Sequence, residues 1–449
     1  MSQPPPNPDN SLLRSPSAGA ARIHRALKLF ILLLAALFVI EWGYAGYHTL
    51  VLHAAFPATT PLFNPAVRFS DWTNFTPRVS HYGEPGMQVR TDLGYPYPYP
   101  LPSIYIFLLF IRLFPHSLYA YIAFTVLTFA VATLIFCIYL YRRTHASRLI
   151  LIAVWLTLLL GSPAQFLLNR GNIEVFLWLF VLLGLVSFVR DWKYLAAFFF
   201  ALAACMKIYP ALFFLLFLPR RQYKAAALGV ALTAGFSLAA LAAVGPTILG
   251  ALHDMSAAAV FLRHVEIVAL NESSLRFDHS LLAIWKQALY FVLELSHPRH
   301  FYSHHPLIFS RSVAVYSVLA PVIFTAIYLL RLRAMPLLNQ FMALTIFSVI
   351  LPYVSYEYTL VHIYLVFAVF ILFLLQDGDT ALAALTDKNL NLVMICFAIV
   401  FAPLAYLALE HFQGQIKCLA LIALLAVTLL SPMPSTLFGD RPAPVAPTG

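Results

Sequence analysis

In a chain that is 61% hydrophobic and only 10% charged, the few ionisable and amide side chains are where chemistry has to be sought, because each is costly at membrane depth. They gather in a few places. Asn169-Arg170-Gly171-Asn172 with Glu174 falls between two apolar runs, Lys207 interrupts another, and Ser355-Tyr356-Glu357-Tyr358 with His362 opens a further one. Two polar stretches add Asp71, Glu84 and Asp92, then Asn271, Glu272, Arg276 and Asp278. A carboxylate held near an attacking hydroxyl can take its proton. A fixed cation can stabilise an anionic leaving group. Lys207 stands out because Pro210 follows it, and a helix broken there frees backbone amides that suit an anion.

Each group also has a plainer reading. Glu174 and His362 suit helix-end residues paired across a bundle, and for either one alone that reading is preferred. Arg170 can snorkel to an interface. The run His297, His300, His304 and His305 reads as a solvated loop, since its spacing matches no strong metal motif. Asn74-Phe75-Thr76 and Asn271-Glu272-Ser273 fit an N-glycosylation pattern that matters only in a eukaryotic lumen. The four cysteines lie in apolar runs and form neither a disulfide framework nor a ligand set. No cofactor is expected, and nothing in the spacing supports a divalent metal.

The elements that must position these groups are membrane helices. A soluble domain carries about 25% charged residues, so the bilayer is the solvent for most of this chain. The net charge of +10 raises the question of nucleic acid, but its placement answers it. Basic residues cluster in short connections (Arg22, Arg25 and Lys28; Arg142, Arg143 and Arg148; Arg190 and Lys193; Arg220, Arg221 and Lys224; Arg331 and Arg333) that the positive-inside rule puts in the cytoplasm. The whole excess is then an orientation signal, and no nucleic-acid partner is required.

Threading the chain under that rule predicts an all-α polytopic membrane protein of about 11–12 segments with both termini cytoplasmic. The first span covers roughly residues 26–50, and a Pro-bounded half-crossing covers 101–114. Spans at 117–141, 149–168 and 173–189 follow. Residues 194–205 and 208–218 form a broken hairpin with Lys207 at its tip. The remaining spans fall near 225–244, 312–330, 337–353, 359–375, 390–409 and 418–430. The expected organisation is a disordered amino terminus (1–25), a membrane domain (26–431) with external loops near 53–116 and 245–310, and a disordered tail (432–449). Polar residues lie at the outer span ends, so the working face is expected outside.

Several segments together resemble one family, the GT-C superfamily of polyprenyl-phosphate-sugar-dependent glycosyltransferases, and within it glycosyltransferase family 87, whose members include bacterial alpha-1,2-mannosyltransferases. Ser70-Asp71-Trp72 is similar to its acidic-aromatic pair, and Tyr95–Pro102 to its aromatic, proline-rich lead into a juxtamembrane helix. Gly171-Asn172 and Met206-Lys207-Ile208-Tyr209-Pro210 resemble its most recognisable core. Asn271-Glu272-Ser273-Ser274-Leu275 resembles its second-loop element with one residue inserted. Ser355-Tyr356-Glu357-Tyr358 resembles its Ser-aromatic-x-His motif, with tyrosine where the first histidine is expected.

The resemblance implies a GT-C-like bundle and an inverting transferase. Such an enzyme moves a hexose, mannose by analogy, from a polyprenyl-phosphate donor to an extracytoplasmic glycolipid or glycan acceptor in a bacterial plasma membrane. It marks Asp71 as the catalytic base, with Glu84 and Asp92 as alternates. Lys207 and Arg170 are expected to hold the donor phosphate, and Asn172, Asn271, Arg276, Glu357 and His362 to contact substrate. The rival readings are a secondary transporter and a flippase or ligase of lipid-linked sugars. The polar groups at outer span ends and the lack of an internal repeat count against the transporter.

Overall fold

The computed structural model describes residues 18–53, 68–84, 86–90, 96–97, 99–144, 146–244, 247–263, 272–296, 306–405, 407 and 412–439. Among these residues there is no strand, only an isolated antiparallel bridge between Asp278 and Tyr356. Seven helices are long and apolar enough to cross a membrane, and a pair bent by 101° at Leu385–Thr386 makes an eighth. The protein is therefore an all-α, multi-pass membrane protein.

The long helices carry the lipid-facing surface. α1 (Ala18–Leu50), α4 (Ser117–Thr144), α9 (Tyr223–Val244) and α13 (Pro306–Leu330) expose Leu32, Val39, Leu127, Ile135, Val230, Val318 and Ile323. These side chains lose nothing by facing lipid, which is as apolar as they are. The short helices sit inside. All fourteen residues of α14 (Leu337–Ile350) are buried, and at 1.5 Å per residue the helix reaches about 21 Å, short of a hydrocarbon core of about 30 Å. α7 (Glu174–Val189) and α8 (Lys193–Met206) are also too short to cross and pack as a hairpin on Ala196, Ala197, Phe200, Ala201 and Ala204. The predicted segments thus divide into full crossings and short buried helices.

Local differences from the sequence reading have visible causes. The span expected at 149–168 is present as Ile150–Arg170, but it is built from two helices, α5 (Arg148–Leu160) and α6 (Ser162–Arg170), because Gly161 and Pro163 interrupt the ladder inside it. Proline lacks the amide that would continue the ladder but suits the first turn of a new helix. α1 begins at Ala18, ahead of the expected Ala26, and Arg22 hydrogen-bonds the carbonyls of Leu382 (3.3 Å) and Leu385 beside the bend at Leu385–Thr386. After α18 (Gln413–Leu430) the chain is held as far as Gly439, because Asp377 accepts from Ser435 Oγ (2.8 Å) and Thr436 Oγ1 (2.6 Å), and Arg220 donates to the Phe438 carbonyl (2.7 Å). The second predicted loop carries α10 (Ile248–Leu262), α11 (Glu272–Phe277) and α12 (Leu281–Ser296).

The remaining helices are α2 (Ser70–Ser80) and α3 (Ile104–Leu113) before α4, and α15 (Ile363–Gln376), α16 (Gly378–Ala384) and α17 (Asp387–Phe401) after α14. Short 3-10 turns at Leu101–Ser103, Tyr209–Phe217 and Glu357–His362 link them. The Glu357–His362 turn and α2 both pack on α6, and the polar residues converge beside that meeting point.

Candidate active site

The convergence starts with a glycine. α6 ends at Arg170, and Gly171 turns the chain in the left-handed region at φ +66°. A side chain there would be strained, and its Cβ would lie 2.9 Å from Trp72 Cβ. The turn brings Asn172 against α2. Trp72 fixes α2 from below, stacked on Tyr121 at 4.5 Å and tilted against Phe107 at 5.0 Å. The Tyr121 hydroxyl donates to the Asn172 carbonyl.

Asp71 stands one residue before Trp72 in the first turn of α2. Asn172 Nδ2 donates to Asp71 Oδ2 at 2.5 Å and to the Tyr99 hydroxyl at 2.7 Å. The Tyr99 hydroxyl completes the triangle toward Asp71 Oδ2 at 3.5 Å. Burial, then the nearby Asp71 carboxylate, push the Tyr99 phenol far above its ordinary value, so Tyr99 stays a proton donor. Arg170 Nε lies 3.5 Å from Asp71 Oδ1. The Asp71 side chain keeps 13% of its surface exposed and Arg170 keeps 33%, so this pair meets solvent.

Lys207 approaches from the other side. α8 stops at Met206 and Lys207 is extended (φ −148°, ψ 141°) before the 3-10 helix that Pro210 opens. Its ammonium lies 5.0 Å from the Tyr99 ring centre and 4.8 Å from that of Tyr358, two cation–π contacts. It donates to Glu174 Oε2 at 2.5 Å. Glu174 Oε1 faces His362 Nε2 at 2.8 Å, and the Tyr209 hydroxyl is 3.3 Å from the same nitrogen. The Glu174 and His362 side chains have no exposed surface, whereas Lys207 keeps 12%. One tyrosine ring thus separates a carboxylate triangle around Asp71 from a cation held by Glu174.

A third ionisable group lies deeper. Glu357 Oε1 accepts from Lys417 Nζ at 2.5 Å and from Ser162 Oγ, and its Oε2 from Gln413 Nε2. Both charged side chains are 1% exposed. The pair fastens α6, the Glu357–His362 turn and α18 together. Beside it, Asp278 Oδ1 accepts the backbone amides of Ser280 and Ser355, both at 2.9 Å, and His279 Nε2 lies 3.1 Å from Ser355 Oγ and from Thr359 Oγ1. Burial raises the Asp278 carboxyl to about 6 and lowers the His279 imidazole to about 3. Gly414 lets the Asp278 backbone touch α18, since a Cβ there would lie 2.4 Å from the Asp278 carbonyl oxygen.

Asp71, Arg170, Asn172 and Lys207 therefore come together as the sequence suggested, and His362 joins them from behind. His362 and Glu357 are fully buried and paired, with Glu174 and Lys417 respectively, as membrane depth favours for such groups. Arg276 stands over the Phe277 ring at 5.8 Å, and Phe277 is 5.8 Å from Phe166, over which Arg170 lies. Two aromatic rings and the Arg170 side chain therefore stand between it and Asp71. Glu84 is half-exposed and bonded to His81 (3.0 Å) and Arg90 (2.7 Å); His81 and then Arg90 hold its carboxyl below the ordinary range. Asp92, Asn271 and the His297–His305 run lie outside the described residues. Among the described residues no group of three or more His, Cys, Asp or Glu could hold a metal.

The reading from sequence missed two things. Glu174 pairs with His362 across the bundle as expected, but that the same carboxylate also takes Lys207 was not foreseen, although its type and place two residues after Asn172 were visible. Lys417 was also visible, as a lone cation at the head of an apolar run. A cleft of about 770 Å³ completes the surroundings, lined by Phe124, Val131, Leu182, Val186, Val369 and Leu372 of α4, α7 and α15. At one end Phe124 stacks on Phe176 at 4.7 Å, two residues after Glu174 in α7.

A multi-pass helical bundle that sets a carboxylate beside two cations has the parts of a membrane-embedded group-transfer enzyme. The model of glycosyltransferase family 87 matches residues 97–355, more than half of the chain, and the protein belongs to that family. It is a glycosyltransferase. The matched range holds Tyr99, Arg170, Asn172, Glu174 and Lys207, while Asp71, Glu357 and His362 lie beyond its ends. No curated protein matches the sequence.

Proposed function

We propose that this glycosyltransferase inverts the anomeric centre of a hexose, mannose by family resemblance, as it moves the sugar from a polyprenyl phosphate to a glycolipid or glycan acceptor on the outer face of a bacterial plasma membrane. The observation that carries the reading is the part-exposed Asp71 carboxylate, fixed by Asn172 and separated from the Lys207 cation by the ring of Tyr99.

Asp71 takes the acceptor proton as the hydroxyl attacks the anomeric carbon. The bond from that carbon to the phosphate oxygen breaks, and the phosphate leaves with the electron pair. Lys207 and Arg170 meet its growing charge with cations placed beforehand. Asn172 and Tyr99 fix which carboxylate oxygen faces the acceptor. The cleft between α4, α7 and α15 takes the isoprenoid chain, which explains why a polar site should open onto lipid. Positive connections at the opposite span ends support an outward-facing site.

The test is to incubate purified protein with a panel of polyprenyl-phosphate sugars and follow release of polyprenyl phosphate. Turnover with one sugar is the expected result and names the donor. Turnover with a soluble nucleotide sugar instead, and with no lipid-linked donor, would overturn the reading.

A further inference from the structure

Glu174 has no part in the proton transfer or the leaving-group contacts just described, yet it stands between them. It is fully buried, and one residue separates it from Asn172. Its backbone amide donates to Asn172 Oδ1 at 3.0 Å, while the other end of that amide side chain donates to Asp71. Its carboxylate meanwhile takes Lys207 on one oxygen and His362 on the other. A single turn therefore orients the base with an asparagine and restrains the cation with a glutamate.

The charges explain why such a restraint matters. The cluster contains two cations, Arg170 and Lys207, and two carboxylates, Asp71 and Glu174. Arg170 touches Asp71 only loosely, at 3.5 Å, whereas Lys207 meets Glu174 at 2.5 Å. Tyr99 presents its ring to Lys207 and its hydroxyl to Asp71, so a lysine released from Glu174 has Asp71 as its next carboxylate. We propose that Glu174 is a positioning residue that keeps the Lys207 ammonium away from Asp71, so that the base stays free for the acceptor. The proposal rests on the roles given above to Asp71 and Lys207.

Every group that faces the pair enters the expected pH behaviour. Glu174 is faced by Lys207 and by His362, with Tyr209 behind the imidazole; Asp71 is faced by Arg170, Tyr99 and Asn172; Tyr358 faces Lys207. An opposite charge brought within about 4–6 Å lowers a carboxyl by roughly 1–3 pH units. A base lowered in this way is weaker.

The experiment compares kcat against pH for wild type, Glu174→Gln and Glu174→Asp with a lipid-linked donor, alongside KM for that donor. In Glu174→Gln the acid limb of kcat is expected about one unit or more lower, with kcat on the plateau down about tenfold and KM for the donor raised as well, because a Lys207 paired with Asp71 is drawn off the phosphate. Glu174→Asp keeps the charge on a shorter arm, so its limb moves the same way by less; it decides the matter alone if the glutamine variant does not fold. An unmoved acid limb in a folded variant overturns the proposal. The protonated-carboxyl infrared band that vanishes in Asp71→Asn titrates lower by the same amount in the Glu174 variants, and it reads the shift without turnover. A wild type inactive with every donor therefore sinks the functional reading, while a band that does not move sinks this one.

Discussion

Two carboxylate–cation pairs in this molecule use the same chemical groups to opposite ends. Asp71 and Arg170 stand 3.5 Å apart with 13% and 33% of their side chains exposed, and Asp71 has room for another partner. Glu357 and Lys417 stand 2.5 Å apart, both 1% exposed, with Ser162 and Gln413 occupying the remaining carboxylate valence. A buried pair brings little net stability, but breaking it leaves an uncompensated charge. A loose, part-wet pair is worth little as a brace and is free to react. Polar residues alone do not mark a site in a membrane protein. Unfilled hydrogen-bonding capacity next to solvent does.

The comparison can be broken by substitution, most strongly at the buried pair. Glu357→Gln leaves Lys417 charged and unpaired, and is expected to destabilise the fold by about 3–5 kcal/mol. The double variant Glu357→Leu/Lys417→Met recovers most of that loss. Thermal unfolding in detergent reads both, and equal losses for the single and the double variant would contradict the brace.

Next comes Asp278, whose carboxyl is raised from 3.8 to about 6 by burial. The folded state therefore binds the proton more tightly than the unfolded chain. That stabilisation is fully present below the unfolded value and is lost as pH rises through about 6, a difference on the order of 3 kcal/mol. Melting temperature should fall between pH 4 and pH 7 in wild type and fall less in Asp278→Asn. Parallel curves for the two proteins would count against the assignment.

The smallest effect is expected at the cation. Lys207→Met should weaken binding of the lipid phosphosugar about tenfold, or about 1.4 kcal/mol, measured by titration in nanodiscs. Unchanged affinity would remove Lys207 from the phosphate.

What the sequence made legible follows the same divide. Asp71, Asn172 and Lys207 could be brought together from sequence because each lies in a recognisable segment, the Ser70–Trp72 stretch, the glycine turn at Gly171 and the break before Pro210. The helix break at Lys207 was also legible, since proline and charge interrupt an apolar run. The third dimension was not legible. Glu357 and Lys417 are far apart in the chain, and no local pattern says that α18 packs on the Glu357–His362 turn. His362 was legible as a partner of Glu174, but its depth behind that carboxylate depends on how α15 and α7 pack. Gly161 and Pro163 were present in the sequence, but hydropathy averaged over a whole span gave the crossing and not the interruption between α5 and α6 inside it.

The most direct test of the contrast between the two pairs is one assay of transfer rate per folded molecule on Asp71→Asn and on the Glu357→Leu/Lys417→Met double variant. The account predicts that Asp71→Asn folds, binds donor and loses transfer by roughly a thousandfold or more, while the double variant stays within a few-fold of wild type. Full transfer by Asp71→Asn, or loss of transfer confined to the double variant, would contradict it.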